Sequence, residues 1–145
     1  MKHSFYPFRA SEDALSFTFK SISEKRIILK KAEFVKISDN VYNFAFGDVN
    51  TEGRIDDLVV TNNQDSETVF ATVIRILLVF LKAHNSDAVY FEGSTPSRTR
   101  MYQIILTKER VNWEQKFVVY GFCGDELETF ETDCRYDAFI IKLKH

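Results

Sequence analysis

One segment of helical periodicity, placed after four segments of period two, constrains the fold of this chain more than any other feature. From about residue 65 to residue 83, apolar residues recur at helical spacing and polar residues fill the opposite side. Asp65 or Ser66 can accept hydrogen bonds from the first N–H groups of a helix, and Glu67 suits its positive end. The pattern predicts one long helix, running to about Ala83, that covers a sheet. Its expected buried face comprises Phe70, Val73, Ile74, Leu77, Phe80 and Leu81, and its expected solvent face comprises Thr68, Thr72, Arg75 and Lys82.

The residues before this helix predict a four-stranded antiparallel meander. Apolar and polar residues alternate there as they do in half-buried strands, and β-branched residues are frequent. Clusters of turn-forming residues at 38–40 and 48–53 separate the later segments, and the first of them predicts a hairpin. The predicted strands run from Leu15 to Ile22, from Ile27 to Ile37, from Val41 to Phe46 and from Ile55 to Thr61.

The residues after the helix predict a β-α-β-β arrangement. The expected elements are a strand at Ala88–Phe91, a helix from about Pro96 to Lys108, a strand at Phe117–Phe122 and a strand at Asp137–Leu143, with an acidic loop from Gly124 to Asp133 before the last strand. The fold class is therefore α+β: an antiparallel sheet of about six or seven strands packed on one long and one shorter helix. A length of 145 residues suits a single domain, 1–145.

Several classes of protein lack support in the sequence. No apolar stretch has the length of a signal peptide or of a membrane span, so we expect a cytoplasmic protein without a membrane partner. In that compartment we expect Cys123 and Cys134 to be free thiols, with a disulfide between them as the alternative. The short motifs of zinc sites, phosphate-binding loops and dinucleotide-binding folds are absent, and we predict no metal and no cofactor.

The net charge of -2 conceals opposed patches. Residues 20–36 contain six Lys or Arg against two Glu, whereas residues 125–137 contain six acids against one Arg. Lys30 and Lys36 could share the solvated face of an antiparallel sheet and form a secondary basic surface. An ordinary solubilising surface with cross-strand charge pairs is the alternative.

The segment from Glu92 to Tyr102 is the strongest candidate for a functional site. A strand leads through Gly93 into a helix start, where N–H groups favour anions, and two arginines stand in a position where the helix dipole prefers acids. An anionic partner would account for these cations. The predicted anion-binding residues are Ser94, Thr95, Arg98, Arg100 and Tyr102. The alternative is an ordinary helix start in which Arg98 pairs with Glu92, Asp56 or Asp57 and locks the helix to the sheet.

Three blocks of this chain resemble a family of small uncharacterised bacterial proteins. The blocks are Val41–Asp48, Ile55–Asn63 and Gly93–Tyr102, which correspond to the family signatures YNxAFGD, DLVxNN and GSTPxRTRxY. Ser97 and Met101 replace the Ala and Leu of the last signature. The resemblance implies a single-domain bacterial protein and implies no activity. The order of elements is also similar to PUR-repeat and Whirly-like folds, which bind single-stranded nucleic acid on a sheet; this is an analogy of fold alone.

These observations favour a binding module that contacts an anionic partner, nucleic acid or phosphate, through the Gly-Ser-Thr-Pro/Arg helix start. One alternative is a protein–protein interaction module or a subunit of a bacterial complex, docking through the acidic segments. A second alternative is an enzyme that uses Asp57, Glu92 and Arg98. No catalytic constellation is recognisable, so a non-enzymatic role is favoured, and the oligomeric state is left open.

Overall fold

A computed structural model describes residues 4–56, 65–131 and 134–144. These residues form nine strands and three helices: β1 (Phe8–Ala10), β2 (Ser16–Ile22), β3 (Ile27–Ser38), β4 (Val41–Val49), β5 (Ile55–Asp56), α1 (Ser66–Ala83), β6 (Ala88–Phe91), α2 (Pro96–Lys108), α3 (Arg110–Trp113), β7 (Phe117–Cys123), β8 (Glu126–Thr129) and β9 (Ala138–Leu143). The α+β class predicted from the sequence is confirmed. In the described part of the chain, no helix is long and apolar enough to cross a membrane.

The chain divides into two compact units. The first comprises Met1–Val35 and Phe44–Phe80, and the second comprises Lys36–Asn43 and Leu81–His145. β3, β4 and α1 each contribute residues to both units. The prediction of a single domain, 1–145, stays a prediction.

Aromatic rings fill the core of the first unit. Its strands follow the order β1-β2-β3-β4, with β5 paired to β4, and β2 is antiparallel to both of its neighbours. Phe17 lies opposite Ala32, so their side chains share the buried face of β2 and β3. The Phe34 ring stacks on the Phe80 ring of α1 at a centroid distance of 3.9 Å and meets the Phe17 ring edge-on at 5.9 Å. The inward residues of each strand thus pack beneath the helix, as the alternating pattern predicts.

The helix α1 confirms the predicted long helix, but one of its polar residues lies on the opposite side from the prediction. Thr72, expected on the solvent face, is fully buried. Its hydroxyl donates to the carbonyl of Thr68 at 2.7 Å and accepts from the N–H of Tyr6 at 2.8 Å. The chain before β1 therefore lies against this turn of α1, and both hydrogen bonds satisfy the buried hydroxyl.

Lys30 corrects the predicted secondary basic surface. Residue 30 shares the inward face of β3 with Ala32 and Phe34, and its side chain is buried. The Nζ atom of Lys30 lies 2.6 Å from Oδ1 of Asp48, which is also buried on β4. Lys30 is therefore the cationic half of an internal ion pair and not a surface residue, because strand alternation turns it inward. Lys36 is exposed.

The sheet of the second unit contains one parallel pair. The beginning of β4 runs parallel to β6, with Val41 opposite Ala88, whereas β6, β9, β7 and β8 follow one another as antiparallel neighbours. The predicted antiparallel sheet is therefore confirmed for most of the strand pairs, and the pair of β4 with β6 departs from it. A hairpin reverses the direction of the chain and so gives an antiparallel pair. The connection from β4 to β6 passes instead through α1, and such a long crossover allows β6 to run in the same direction as β4.

The acidic segment before β9 is more ordered than the sequence indicates. Its residues 126–129 form β8, which pairs with β7 after a turn at Gly124, a glycine with a positive φ of 66°. Strand formers are scarce in this stretch, which masks the alternation signal. The sequence also gives no clear signal for β1 and α3. Of the predicted strand Ile55–Thr61, only Ile55–Asp56 is described, and the remainder lies outside the described residues.

The two cysteines are joined. Cys123, at the end of β7, and Cys134, shortly before β9, form a disulfide bond, so the expectation of free thiols is wrong for this structure. The β7–β8 hairpin and the return of the chain toward β9 bring the two residues together, which the sequence spacing alone does not indicate.

Candidate functional site: the start and the groove of the second helix

The start of α2 is built as the sequence predicts. Thr95 has extended backbone dihedrals of -137° and 160°, and its hydroxyl accepts from the N–H of Arg98 at 3.2 Å. Pro96 occupies the beginning of the helix, where its missing N–H removes no helical hydrogen bond. Thr95 is therefore an N-cap residue, and its hydroxyl is engaged within the chain.

Gly93 allows the preceding strand to approach α2 closely. Its N–H donates to the hydroxyl of Thr99 at 2.9 Å, and that hydroxyl donates to the carbonyl of Thr95 at 3.3 Å. A Cβ atom at Gly93 would collide with the Cβ atom of Arg98 and the backbone nitrogen of Thr99. The glycine is therefore required by packing, independently of any ligand.

Two N–H groups of the first helical turn have partners inside the protein. Those of Arg98 and Thr99 both donate to the carbonyl of Thr95, each at 3.1 Å. The predicted cradle for an anion at the helix start is thus largely occupied by the cap. Arg98 is half-buried, whereas Ser94, Thr95 and Ser97 are exposed, and binding of an anion by Ser94, Thr95 and Arg98 stays a prediction.

Tyr102 contributes to packing within the second unit. Its ring is half-buried and meets the Phe91 ring of β6 edge-on at a centroid distance of 5.8 Å. The residue therefore helps to seat α2 on the sheet. This ring packing accounts for the aromatic side chain without a stacking ligand.

One side of α2 lines a shallow groove. Its volume is about 270 Å³, and it is lined by Arg100, Gln103, Ile104, Thr107 and Lys108. The other four residues follow Arg100 by three, four, seven and eight positions, so all five lie along one side of the helix. The two cations stand at opposite ends, roughly 12 Å apart along the axis at 1.5 Å per residue. Between them, Ile104 is 54 % exposed.

Gln103 connects this groove to the segment before β9. Its side chain is 1 % exposed; Nε2 donates to the carbonyl of Cys134 at 2.5 Å, and Oε1 accepts from the N–H of Tyr136 at 3.2 Å. The buried amide of Gln103 thus hydrogen-bonds one backbone carbonyl and one backbone N–H, as a residue of a neighbouring strand does. This pairing fixes the chain around Cys134 against α2.

Tyr136 occupies the space that Gly121 leaves open. A Cβ atom at Gly121 would collide with the Tyr136 ring. The Tyr136 hydroxyl donates to Oε1 of Glu128 at 3.0 Å and accepts from the N–H of Glu131 at 2.8 Å. Burial raises the pKa of Tyr136 above its ordinary value, and the neighbouring Glu128 carboxylate acts in the same direction.

Three side chains in this region carry atoms of the types that ligate metal ions in proteins. The two sulfur atoms of Cys123 and Cys134 and a carboxylate oxygen of Glu128 all lie within 4.8 Å of one another. Their spacing along the chain matches none of the short metal-binding motifs, so the sequence does not reveal them. The predicted absence of a metal stays a prediction.

The residues of the enzymatic alternative are only partly described. Asp57 lies outside the described residues. Glu92 is exposed, and its carboxylate accepts from the Tyr90 hydroxyl at 3.2 Å. Burial, followed by the charge of Glu92, raises the pKa of Tyr90. Glu92 therefore orients a tyrosine on the adjoining strand.

Taken together, the fold and the groove define an α+β protein whose shorter helix presents two cations around an apolar centre. The chain belongs to a family of unknown function (DUF6934), whose family model matches residues 2–144. This membership agrees with the uncharacterised family that the sequence resembles, while the three signatures and the bacterial origin stay predictions. No curated protein and no solved structure matches the chain.

Proposed function

We propose that this protein is a binding module for a nucleic acid, which it contacts along the groove of α2. The observation that carries the proposal is the arrangement of Arg100 and Lys108 at the two ends of the groove, with the exposed Ile104 between them. Cations separated by an apolar surface suit a chain of repeated phosphates whose sugars or bases face the apolar centre.

The position of Arg100 supports an anionic partner. It is the fifth residue of α2, close to the N-terminus, where the partial positive charge of the helix dipole disfavours a cation, and the first turn contains no acidic residue to offset that charge. A bound phosphate would offset that cost. Lys108 stands in the last turn, where the dipole favours a cation. Thr107, also in the groove, adds an exposed hydroxyl near Lys108, although that hydroxyl donates to the carbonyl of Gln103 at 2.9 Å.

The length of the groove supports a polymer over a single phosphate. A separation of roughly 12 Å along the helix axis is more than twice the diameter of one phosphate group. A nucleic-acid strand presents phosphates at regular intervals and can contact both ends at once. A single small anion would use one end and would leave the apolar centre uncovered.

The experiment measures binding of fluorescein-labelled oligonucleotides, single-stranded and double-stranded, by fluorescence anisotropy at several salt concentrations. For the variant Arg100→Gln/Lys108→Gln we expect at least about tenfold weaker binding, because each hydrogen bond to a charged group contributes roughly 1.5 kcal/mol or more. The slope of log affinity against log salt should fall by roughly 0.7 to 0.9 for each phosphate that the variant no longer neutralises.

The matched control is Lys20→Gln/Lys82→Gln, which removes the same charge at two exposed positions outside the groove. This control should bind within about twofold of the wild type, since it retains both groove cations. An equal loss in both variants would indicate diffuse charge attraction and reject the groove. A wild-type protein that binds neither oligonucleotide would reject the function.

A second candidate function is protein–protein interaction through β8. This strand stands at the end of the strand order of the second unit, and its residues are exposed, including Leu127 at 50 %. An acidic edge strand with an exposed apolar residue can pair with a strand of a partner. Leu127→Lys should abolish recovery of a stoichiometric partner from native cells, whereas Val111→Lys, at a site 82 % exposed on α3, should not.

A further inference from the structure

We propose that Cys123, Cys134 and Glu128, when the two cysteines are reduced, form a binding site for a thiophilic divalent cation, Zn²⁺. The disulfide and the metal site use the same two sulfur atoms, so oxidation closes the site and reduction opens it. The supporting observation is the grouping of the three donor atoms within 4.8 Å of one another.

The chemistry and spacing of the donors suit Zn²⁺. Zinc binds thiolate sulfur at about 2.3 Å and carboxylate oxygen at about 2.0–2.2 Å, so donors around one tetrahedral ion lie roughly 4 Å apart. Atoms within 4.8 Å of one another reach this arrangement through small side-chain rotations. Three protein donors leave a fourth position for water, as in open zinc sites.

The surroundings hold the donors in place. The Tyr136 hydroxyl donates to the Glu128 carboxylate at 3.0 Å, the kind of hydrogen bond that orients carboxylate ligands in metal sites. The carbonyl of Cys134 accepts from the buried Gln103 at 2.5 Å. Cys123 lies on β7 opposite Glu126, so its backbone is fixed by strand pairing. Each donor therefore stands on an anchored stretch of chain.

Reduction of the disulfide converts the two cysteines into thiols. A dithiol reductant supplies two electrons and two protons and is itself oxidised to a disulfide; a phosphine supplies two electrons and is oxidised to its oxide, and water supplies the oxygen and the two protons. Zn²⁺ then displaces the two thiol protons and binds both sulfurs together with the Glu128 oxygen. On reoxidation the two thiolates pass two electrons to an acceptor disulfide, which takes two protons from water and becomes two thiols; the Cys123–Cys134 bond re-forms and the ion is released.

The experiment titrates the whole chain, reduced with a phosphine, with Co²⁺ as a spectroscopic substitute for Zn²⁺. We expect one equivalent to bind with a thiolate-to-cobalt charge-transfer band that Zn²⁺ abolishes, and no such band in the oxidised protein. Glu128→Gln, which preserves size and shape, should weaken binding more than about tenfold. The matched control Glu126→Gln, on the same strand, should bind as the wild type does.

A reduced wild-type protein that binds no more Co²⁺ than Cys123→Ser/Cys134→Ser would overturn the proposal. Equal losses in Glu128→Gln and Glu126→Gln would overturn the assignment of Glu128 as a ligand. Circular dichroism of each reduced variant establishes that it is folded. Because the readout is metal binding, the outcome is independent of whether α2 binds a nucleic acid.

Discussion

Removing one partner of the ion pair between Lys30 and Asp48 should destabilise the protein strongly. The two side chains are only 7 % and 11 % exposed, and Nζ lies 2.6 Å from Oδ1. Asp48→Leu leaves a buried ammonium without its counter-charge, which costs roughly 3–5 kcal/mol. For a chain of 145 residues, this loss corresponds to a decrease in melting temperature of roughly 10–16 °C.

The double variant Lys30→Met/Asp48→Leu separates the cost of a lone charge from the value of the pair. At an effective dielectric constant near 20, attraction at this distance is roughly 6 kcal/mol, but desolvation costs several kcal/mol for each ion. The two terms nearly cancel, so well-packed apolar replacements of both residues should leave stability within about 1–2 kcal/mol of the wild type. The assay is urea denaturation at constant pH and salt, followed by circular dichroism.

The neighbouring residue provides a matched control. The Nζ atom of Lys31 lies 3.3 Å from Oε2 of Glu33, with side chains 23 % and 41 % exposed, so Lys31→Met should cost no more than about 1 kcal/mol. The reasoning fails if Asp48→Leu costs no more than this control. It also fails if the double variant is as unstable as Asp48→Leu, because the loss would then not arise from an orphaned charge.

Three further predictions concern the second unit. Reduction of the disulfide between Cys123 and Cys134, which are 11 positions apart, should lower the free energy of unfolding by about 3 kcal/mol, and urea denaturation with and without a reductant at low free metal checks it; an unchanged midpoint would contradict it. Gly121→Ala should cost roughly 1–3 kcal/mol because the new methyl group collides with the Tyr136 ring, and Gly121→Ala/Tyr136→Leu should recover part of that loss in the same assay; no recovery would reject this cause. Burial raises the pKa of the Tyr136 hydroxyl in the folded protein, so as pH rises the unfolded chain loses the hydroxyl proton first. The stability that Tyr136 contributes through this difference is complete below pH 10 and is lost as pH rises through the folded pKa. Denaturation measured between pH 8 and 11 should therefore show a shallower decline above pH 10 for Tyr136→Phe than for the wild type, and parallel declines would contradict the assignment.

Local signals in the sequence are sufficient to predict most of the secondary structure. Thr95 and Pro96 predict the start of α2, and the structure confirms both the cap and the position of the proline. The long helix α1 and the strands β2 and β3 follow from periodicities of 3.6 and 2, which depend only on neighbouring residues. Where a helix cap or a strand depends on residues that are neighbours in the chain, the sequence is sufficient to predict it.

The wrong predictions concern residues whose surroundings are made by distant parts of the chain. Thr72 is polar, which predicts the solvent face of α1, but the chain at Tyr6 lies over it and donates a backbone hydrogen bond to its hydroxyl. Lys30 is charged, which predicts a surface position, but strand alternation turns it inward, where its Nζ atom donates to the buried carboxylate of Asp48 at 2.6 Å. In both cases residue type predicts exposure, while a partner from another part of the chain offsets the cost of burying the polar group.

In the candidate groove, too, the sequence identifies some residues and misses others. Arg100 is identifiable because a cation near a helix start conflicts with the dipole, a local conflict that the sequence reveals. Lys108 and Gln103 escape prediction because nothing in the sequence distinguishes a lysine on a groove from one on any solvated face. The sequence assigns Tyr102 to anion binding, which stays a prediction; the structure shows that its ring packs on Phe91. An aromatic residue near a site is explained first by the strand that lies beneath it.

The donors at Cys123, Glu128 and Cys134 illustrate why some metal-binding geometries escape motif searches. The β7–β8 register sets Glu126 opposite Cys123 and Glu128 opposite Gly121, so Cys123 and Glu128 are diagonal neighbours on one face of the hairpin. Cys134 joins them because the chain returns toward β9 and is held by the Gln103 amide. Recognisable zinc motifs place two ligands within one turn or loop, where local geometry alone brings them together. Here the proximity arises from strand register and one tertiary hydrogen bond, so it becomes visible only once the pairing of β7 with β8 is known.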